Sequence, residues 1–272
     1  MSLKVIRILL LSIACCCSIS FWLIQKSDMG ERKEASPTSS LPAGGHKLTF
    51  KGADFYVYKV DKDKEAIQLW LKDDQDQLFR NIGQLEKYLK QKGQKIAFAM
   101  NAGMYQKDRM PQGLYISKGE KLQALDTLSE GYGNFYLQPN GIFGFDTQGV
   151  EKTLRAAVLT RKEFVKAKPF ENATQSGPML VIDGKIHPKF RASSTSKYVR
   201  NGVGIDAAGD ILFAFSEIPV NLYHFADLYA DLLNCDNALY LDGAISQLYL
   251  PQLQRHDRTG NMGPLIGIAI PQ

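Results

Sequence analysis

The chain has 272 residues, 44% hydrophobic and 22% charged, enough apolar material for one large domain without disulfide or metal support. Its 33 basic and 28 acidic residues leave a formal net charge of +5, with the two signs interspersed. No basic run has the density of a nucleic-acid surface, so no nucleic-acid partner is expected.

Lys4 and Arg7 precede an uncharged stretch over residues 8–24, which ends at Gln25-Lys26. Positive charge ahead of an apolar run predicts an N-in membrane segment that sends the rest of the chain across. The expected location is therefore a membrane-anchored domain in the periplasm or outside the cell. A lipoprotein attached through Cys15 competes, because Ser12-Ile13-Ala14-Cys15 loosely resembles a lipobox. The apolar residues that continue past Cys17 favour an uncleaved anchor. Residues 26–46 are polar and rich in Ser, Pro and Gly, the composition of a linker. The expected boundaries are an anchor over 1–25, a linker over 26–46 and a domain over 47–272. Cys15, Cys16 and Cys17 fall in the apolar segment, which leaves Cys235 alone in the domain as a core residue rather than a nucleophile.

Residues 55–60 and 66–71 read as strands around a charged turn at 61–64. Ile82, Leu85, Tyr88 and Leu89 recur at helical spacing and Gly93 closes the run. Residues 96–100 form a compact apolar strand that runs into Asn101-Ala102-Gly103. Hairpins are expected around residues 117–121, around Asp183-Gly184 and around residues 207–210. Over 221–234, Leu222, Phe225, Ala226, Tyr229, Leu232 and Leu233 share one face behind Asn221 as N-cap. Residues 238–241 are another buried strand. Many strands and few helices predict an α+β fold with a strand-rich mixed sheet core.

Four segments share one design, an apolar run beside a small, polar turn containing glycine. They are Asn101-Ala102-Gly103, Ser176-Gly177, Arg200-Asn201-Gly202-Val203-Gly204-Ile205-Asp206, and Asp242-Gly243-Ala244-Ile245-Ser246. Strand ends hold side chains rigidly yet near solvent, which suits a site. In this order, over roughly residues 50–270, they resemble the phosphodiester glycosidase family, which includes an enzyme that removes N-acetylglucosamine from a phosphodiester. The family's Asn-Gly-Gly turn is matched with Ala102 in second place. Its final Asp-Gly-Gly-Gly-Ser is matched with Ala244-Ile245 in place of two glycines, bulk that would reshape a sugar pocket.

The resemblance implies an extracytoplasmic glycosidase that cleaves a sugar-1-phosphodiester, or a related glycosidic bond, on an envelope glycan or glycolipid. The alternative is a glycan-binding module of the same fold without chemistry. Cleavage develops positive charge at the anomeric carbon and negative charge on phosphate, which suits a carboxylate and a guanidinium. The expectation assigns Arg200 to phosphate and Asp242 or Asp206 to the catalytic carboxylate. Asn101, Gly103, Ser176, Gly177, Asn201, Gly243 and Ser246 are assigned to substrate. Asp206 has a competing role as cap of the turn at 207–210.

Glu217 is weighed as a second carboxylate and His224 as a base, each against a structural role. Tyr105, Tyr115, Tyr132, Phe135 and Tyr136 are weighed as sugar-stacking rings against core packing. No Gly-x-Ser-x-Gly elbow and no His/Cys zinc spacing is present. No cofactor is expected. A divalent ion shared by Asp206 and Asp242 is chemically admissible, although the spacing does not require it. The expected partners are the glycan or sugar-phosphate substrate and the membrane through residues 8–24. Oligomeric state is not legible.

Overall fold

The computed structural model describes residues 41–148, 153–242 and 245–272. The anchor segment, Cys15 and Gly243 lie outside the described residues. No helix among those described is long and apolar enough to cross a membrane.

Three sheets build the fold. The first joins β1 (Gly44–Phe50), β2 (Ala53–Lys59), β10 (Met179–Ile182), β11 (Lys185–Ile186), β12 (Asn201–Asp206), β13 (Ile211–Ser216) and β14 (Cys235–Tyr240) in the order β1-β2-β13-β12-β14-β10-β11. The second joins β3 (Ile67–Trp70), β4 (Gln94–Asn101), β15 (Leu248–Leu250), β16 (Arg255–His256) and β17 (Leu265–Pro271) in the order β16-β15-β4-β17-β3. The third joins β5 (Tyr115–Ser117), β6 (Glu120–Gln123), β7 (Gly141–Gln148), β8 (Thr153–Thr160) and β9 (Asn172–Ser176) in the order β6-β5-β9-β7-β8. The α+β class with few helices is as expected. The mixed sheets are not: among the described residues each neighbouring pair within these sheets is antiparallel. Hairpin links such as β1-β2, β10-β11 and β12-β13 make antiparallel pairing the natural one for those neighbours.

One core lies between the sheets. Tyr58 stacks on Phe98 with ring centres 4.6 Å apart, Phe98 meets Phe213 at 5.1 Å, and Phe143 meets Phe213 edge-on at 5.8 Å. These rings come from all three sheets and are essentially buried. On the far face of the first sheet, the helix Leu222–Asp227 packs Phe225 and Ala226 onto Phe55 and Val57. Asn221 caps it, its side chain accepting from the His224 N–H. The helix expected over 221–234 is helical from Leu222 to Leu232, but its second part widens: the Leu233 N–H reaches back five residues to the Leu228 carbonyl. The helix Ile82–Gln91 covers the second sheet with Ile82, Leu85 and Leu89 buried.

Residues 55–60 and 66–71 are strands but not a hairpin, because β2 pairs with β1 and β13 whereas β3 pairs with β17. Both faces of β2 are buried, with Phe55 and Val57 toward the helix and Tyr56 and Tyr58 toward the central core. β1 starts at Gly44, inside the stretch read as linker. It is an edge strand with His46, Lys47 and Thr49 among its side chains and seven residue pairs to β2, so backbone pairing holds it rather than apolar pattern.

Candidate functional site

The four predicted turns converge. β12 and β14 run antiparallel with Gly202 opposite Tyr240, so the start of β12 lies beside the end of β14. β4 and β9 end at Asn101 and Ser176. All four ends meet on one dipeptide, Leu241-Asp242. The Asp242 N–H donates to Asn201 Oδ1 at 3.1 Å, and the Leu241 N–H donates to the Asn201 carbonyl at 3.1 Å. Asn101 Nδ2 donates to the Asp242 carbonyl at 3.4 Å, and Ser246 Oγ lies 2.8 Å from the same oxygen. Ser176 Oγ donates to the Leu241 carbonyl. The two asparagines also bond one another, Asn201 Nδ2 to the Asn101 carbonyl at 2.8 Å. The Gln247 N–H closes the network on Asn101 Oδ1 at 3.0 Å.

This geometry gives the polar side chains a role different from the expected one. Asn101, Asn201 and Ser176 are fully buried and bond to backbone or to each other. They form a clamp that fixes the backbone of Leu241-Asp242 and so aims the Asp242 carboxylate, which is itself 8% exposed. They are positioning residues. Ser246, partly buried, acts with them.

Gly103 and Gly177 are buried rather than open to a ligand. A Cβ at Gly103 would collide with Thr174 Oγ1 and the Gln175 carbonyl, so glycine there lets the end of β4 approach β9. Gly103→Ala is therefore expected to cost about 1–3 kcal/mol of stability, read from the denaturant midpoint. Gly204 likewise makes room for the Tyr229 ring and the Cys235 sulfur rather than for substrate.

Arg200 is 1% exposed and does not face solvent as a phosphate grip would. Its Nε donates to the Val220 carbonyl at 2.7 Å, and its two terminal nitrogens donate to Tyr240 Oη at 3.0 Å and the Ser196 carbonyl at 3.1 Å. Among the described residues no carboxylate pairs with it. Burial pulls its pKa down. It is a buried strut between the 196–200 segment, Val220 and β14.

Asp206 is outside the cluster. It sits at the far end of β12 from Asn201, five residue steps or about 17 Å away. Its carboxylate accepts from the Ala208 and Asp210 N–H groups at 2.9 and 2.8 Å, which is the turn-capping role. An ion shared by Asp206 and Asp242 is ruled out by that separation.

Of the other weighed residues, Glu217, His224, Tyr115 and Phe135 settle as structure. Glu217 pairs with Lys47 at 2.6 Å and accepts from Tyr56. His224 packs edge-on against Phe55 and bonds the Phe50 carbonyl. His187 stacks on Phe190, and burial lowers its pKa. Neither Ser176 nor Ser246 hydrogen-bonds a histidine among the described residues. Tyr115 and Phe135 are core, Tyr136 is partly buried, and Tyr132 is fully exposed. Cys235 is buried, and burial pushes its thiol pKa well up.

Two features beside the clamp were not legible in the sequence. Residues 104–112 fold back on themselves, with the Gln112 N–H on the Met104 carbonyl at 2.9 Å and the Gln106 N–H on the Met110 carbonyl at 2.8 Å. This small hairpin carries Tyr105 and Arg109, whose guanidinium lies 5.4 Å from the Tyr105 ring centre. Tyr105 also feels Asp242: burial first, then that negative charge, push its pKa up to about 12, with Arg109 opposing. An open cavity of about 630 Å³ lies alongside, lined by Tyr105, Gln106, Lys107, Asp108 and Gln112. The second feature is a set of buried polar atoms without hydrogen-bond partners among the described residues: Arg109 Nε, Gln247 Oε1, Asn140 Oδ1 and Gln138 Nε2. Gln247 follows Ser246, and Asn140 packs against Gly177. Such orphans are rare in folded proteins, and each calls for an explanation such as strain, a catalytic role or a partner from outside the fold.

The phosphodiester glycosidase family model matches residues 94–262, a span that runs from β4 through Asp242 and Ser246. The chain belongs to the phosphodiester glycosidase family. It is 33% identical over 194 residues to the uncharacterized protein YigE of Escherichia coli, covering 71% of this chain and 73% of that one. Its fold is similar to the catalytic domain of zebrafish N-acetylglucosamine-1-phosphodiester alpha-N-acetylglucosaminidase, with a TM-score of 0.53, 18% identity and 86% of each chain covered. It is similar also to a hypothetical protein from Synechocystis, with a TM-score of 0.52, 15% identity and coverage of 83% and 61%. A putative exported protein from Burkholderia pseudomallei matches with a TM-score of 0.52, 9% identity and coverage of 85% and 75%. In this phosphodiester glycosidase domain the matched stretch holds the whole Leu241-Asp242 clamp and the Arg109 hairpin.

Proposed function

We propose that this domain hydrolyses the bond between a sugar's anomeric carbon and a phosphodiester, on a glycan or glycolipid outside the cytoplasm. The observation that carries the reading is the clamp: three strand ends distant in sequence, together with Ser246, hold the dipeptide that follows β14 and fix one nearly buried residue, Asp242. A carboxylate so held stabilises an oxocarbenium-like centre without reorganising in the reaction. In the net reaction the bond from the anomeric carbon to the phosphate oxygen breaks, and its electron pair stays on that oxygen. A water oxygen bonds to the carbon and the water proton passes to solvent. The leaving phosphate is already a weak base, so no strong acid is needed to protonate it.

The test is a screen of the full chain in detergent against p-nitrophenyl phosphodiesters of glucose, N-acetylglucosamine and mannose 1-phosphate. The reaction releases free sugar and p-nitrophenyl phosphate, which an added phosphatase converts to colour. Turnover of at least one is expected. A chain that binds the parent glycans and turns over none is the binding module instead.

A further inference from the structure

We propose that Arg109, not Arg200, is the residue that grips the substrate phosphate. The assignment rests on the reading of the site as a phosphodiester glycosidase. It begins with chemistry. The bond cleavage turns a phosphodiester of one negative charge into a monoester that approaches two, so charge grows on the phosphate oxygens as the reaction proceeds. A guanidinium that meets those oxygens holds the transition state more tightly than the ground state.

Two arginines compete for that task. Arg200 has its nitrogens committed to Val220, Tyr240 and Ser196, and it is closed from solvent. Arg109 is the opposite case. Its side chain makes no hydrogen bond or ion pair among the described residues, only the contact with the Tyr105 face. Its Nε–H is buried and orphaned, at a cost in folding that a bound acceptor would remove. The backbone at Arg109 is held in the left-handed region, φ 76°, with its N–H on the Gln106 carbonyl at 3.0 Å. The hairpin is thus tied at both ends, and it hangs from the same β4 end that supplies Asn101. It holds a partly buried guanidinium next in sequence to Asp108, which with Lys107 on the same tip lines the open cavity. Tyr105, four residues past the Asn101 end of β4, carries that guanidinium on its ring face, and the Asp242 charge also acts on its phenol. A substrate whose anomeric carbon faces Asp242 would then lay its phosphate toward Arg109.

The test uses the full chain with Arg109→Gln and Arg109→Lys, read by two independent probes. The first is binding of phenyl phosphate, a monoester of the product class, by calorimetry. The second is kcat and KM on whichever p-nitrophenyl sugar phosphodiester the wild type turns over. Arg109→Gln is expected to weaken phenyl phosphate binding at least tenfold and to lower kcat/KM by about a hundredfold, with kcat falling too. Its Tm should stay within a few degrees of the wild type, because the Tyr105 ring contact it loses and the unpaired Nε–H it removes are small and opposite in sign. Arg109→Lys should recover part of the binding through its charge. Unchanged phosphate affinity in Arg109→Gln overturns the assignment, as does a wild type that binds no phenyl phosphate. A wild type that binds the monoester through Arg109 but turns over no phosphodiester leaves the assignment standing and sinks the catalytic reading alone.

Discussion

Asp242→Asn is expected to lower kcat/KM on a sugar-1-phosphodiester by about a thousandfold while leaving Tm within a degree or so of the wild type. The separation of the two effects follows from which atoms the clamp uses. Asn201, Asn101 and Ser246 bond the backbone N–H and carbonyl of Asp242, and Ser176 bonds the carbonyl of Leu241. The amide keeps the shape of the carboxylate and all those backbone bonds, and removes the negative charge. Loss should therefore appear in kcat, with KM little changed, because charge at the anomeric carbon exists only in the transition state. Steady-state kinetics beside a thermal melt reads both. An Asp242→Asn enzyme with near wild-type kcat would show that the clamp aims nothing chemical.

The second large effect is on folding. Arg200→Ala should destabilise the domain by about 3–5 kcal/mol, since it empties the volume of a buried side chain and leaves the Val220 and Ser196 carbonyls and the Tyr240 hydroxyl without their charged donor. For a domain of this size that lowers Tm by roughly 10 °C. Arg200→Lys should recover little, because one ammonium cannot reach three acceptors set by a planar fork. Chemical denaturation with an unchanged m-value checks the size of the effect. Full stability in Arg200→Ala together with lost phosphate affinity would restore the arginine to substrate binding.

Much of this molecule is legible in its sequence. The apolar spacing of Ile82, Leu85, Tyr88 and Leu89, closed by Gly93, defines a helix from local chemistry alone. Asp183-Gly184, with φ of 49° and 71°, makes the two-residue hairpin that its residue types favour. The buried runs that became β4, β12, β13 and β14 are apolar because their strands are covered on both faces. The ordered turns at Asn101, Ser176, Asn201 and Asp242 named the family and marked the right place. Less regular strands escaped: β1 looks like linker because an edge strand is held by backbone pairing, and β7, β8 and β9 alternate weakly with small and polar residues.

Residue type and order thus determined the elements, the family and the set of strand ends where a site belongs. Tertiary structure alone decided what each of those residues does, because that depends on partners up to about 150 positions away. It turned Asn101, Asn201, Ser176 and Ser246 from expected ligand groups into braces on the Asp242 backbone. It buried Arg200 and sent Asp206 to the other end of β12. It also left Arg109, an unremarkable loop residue in the sequence, with a buried Nε–H that has no hydrogen-bond partner among the described residues.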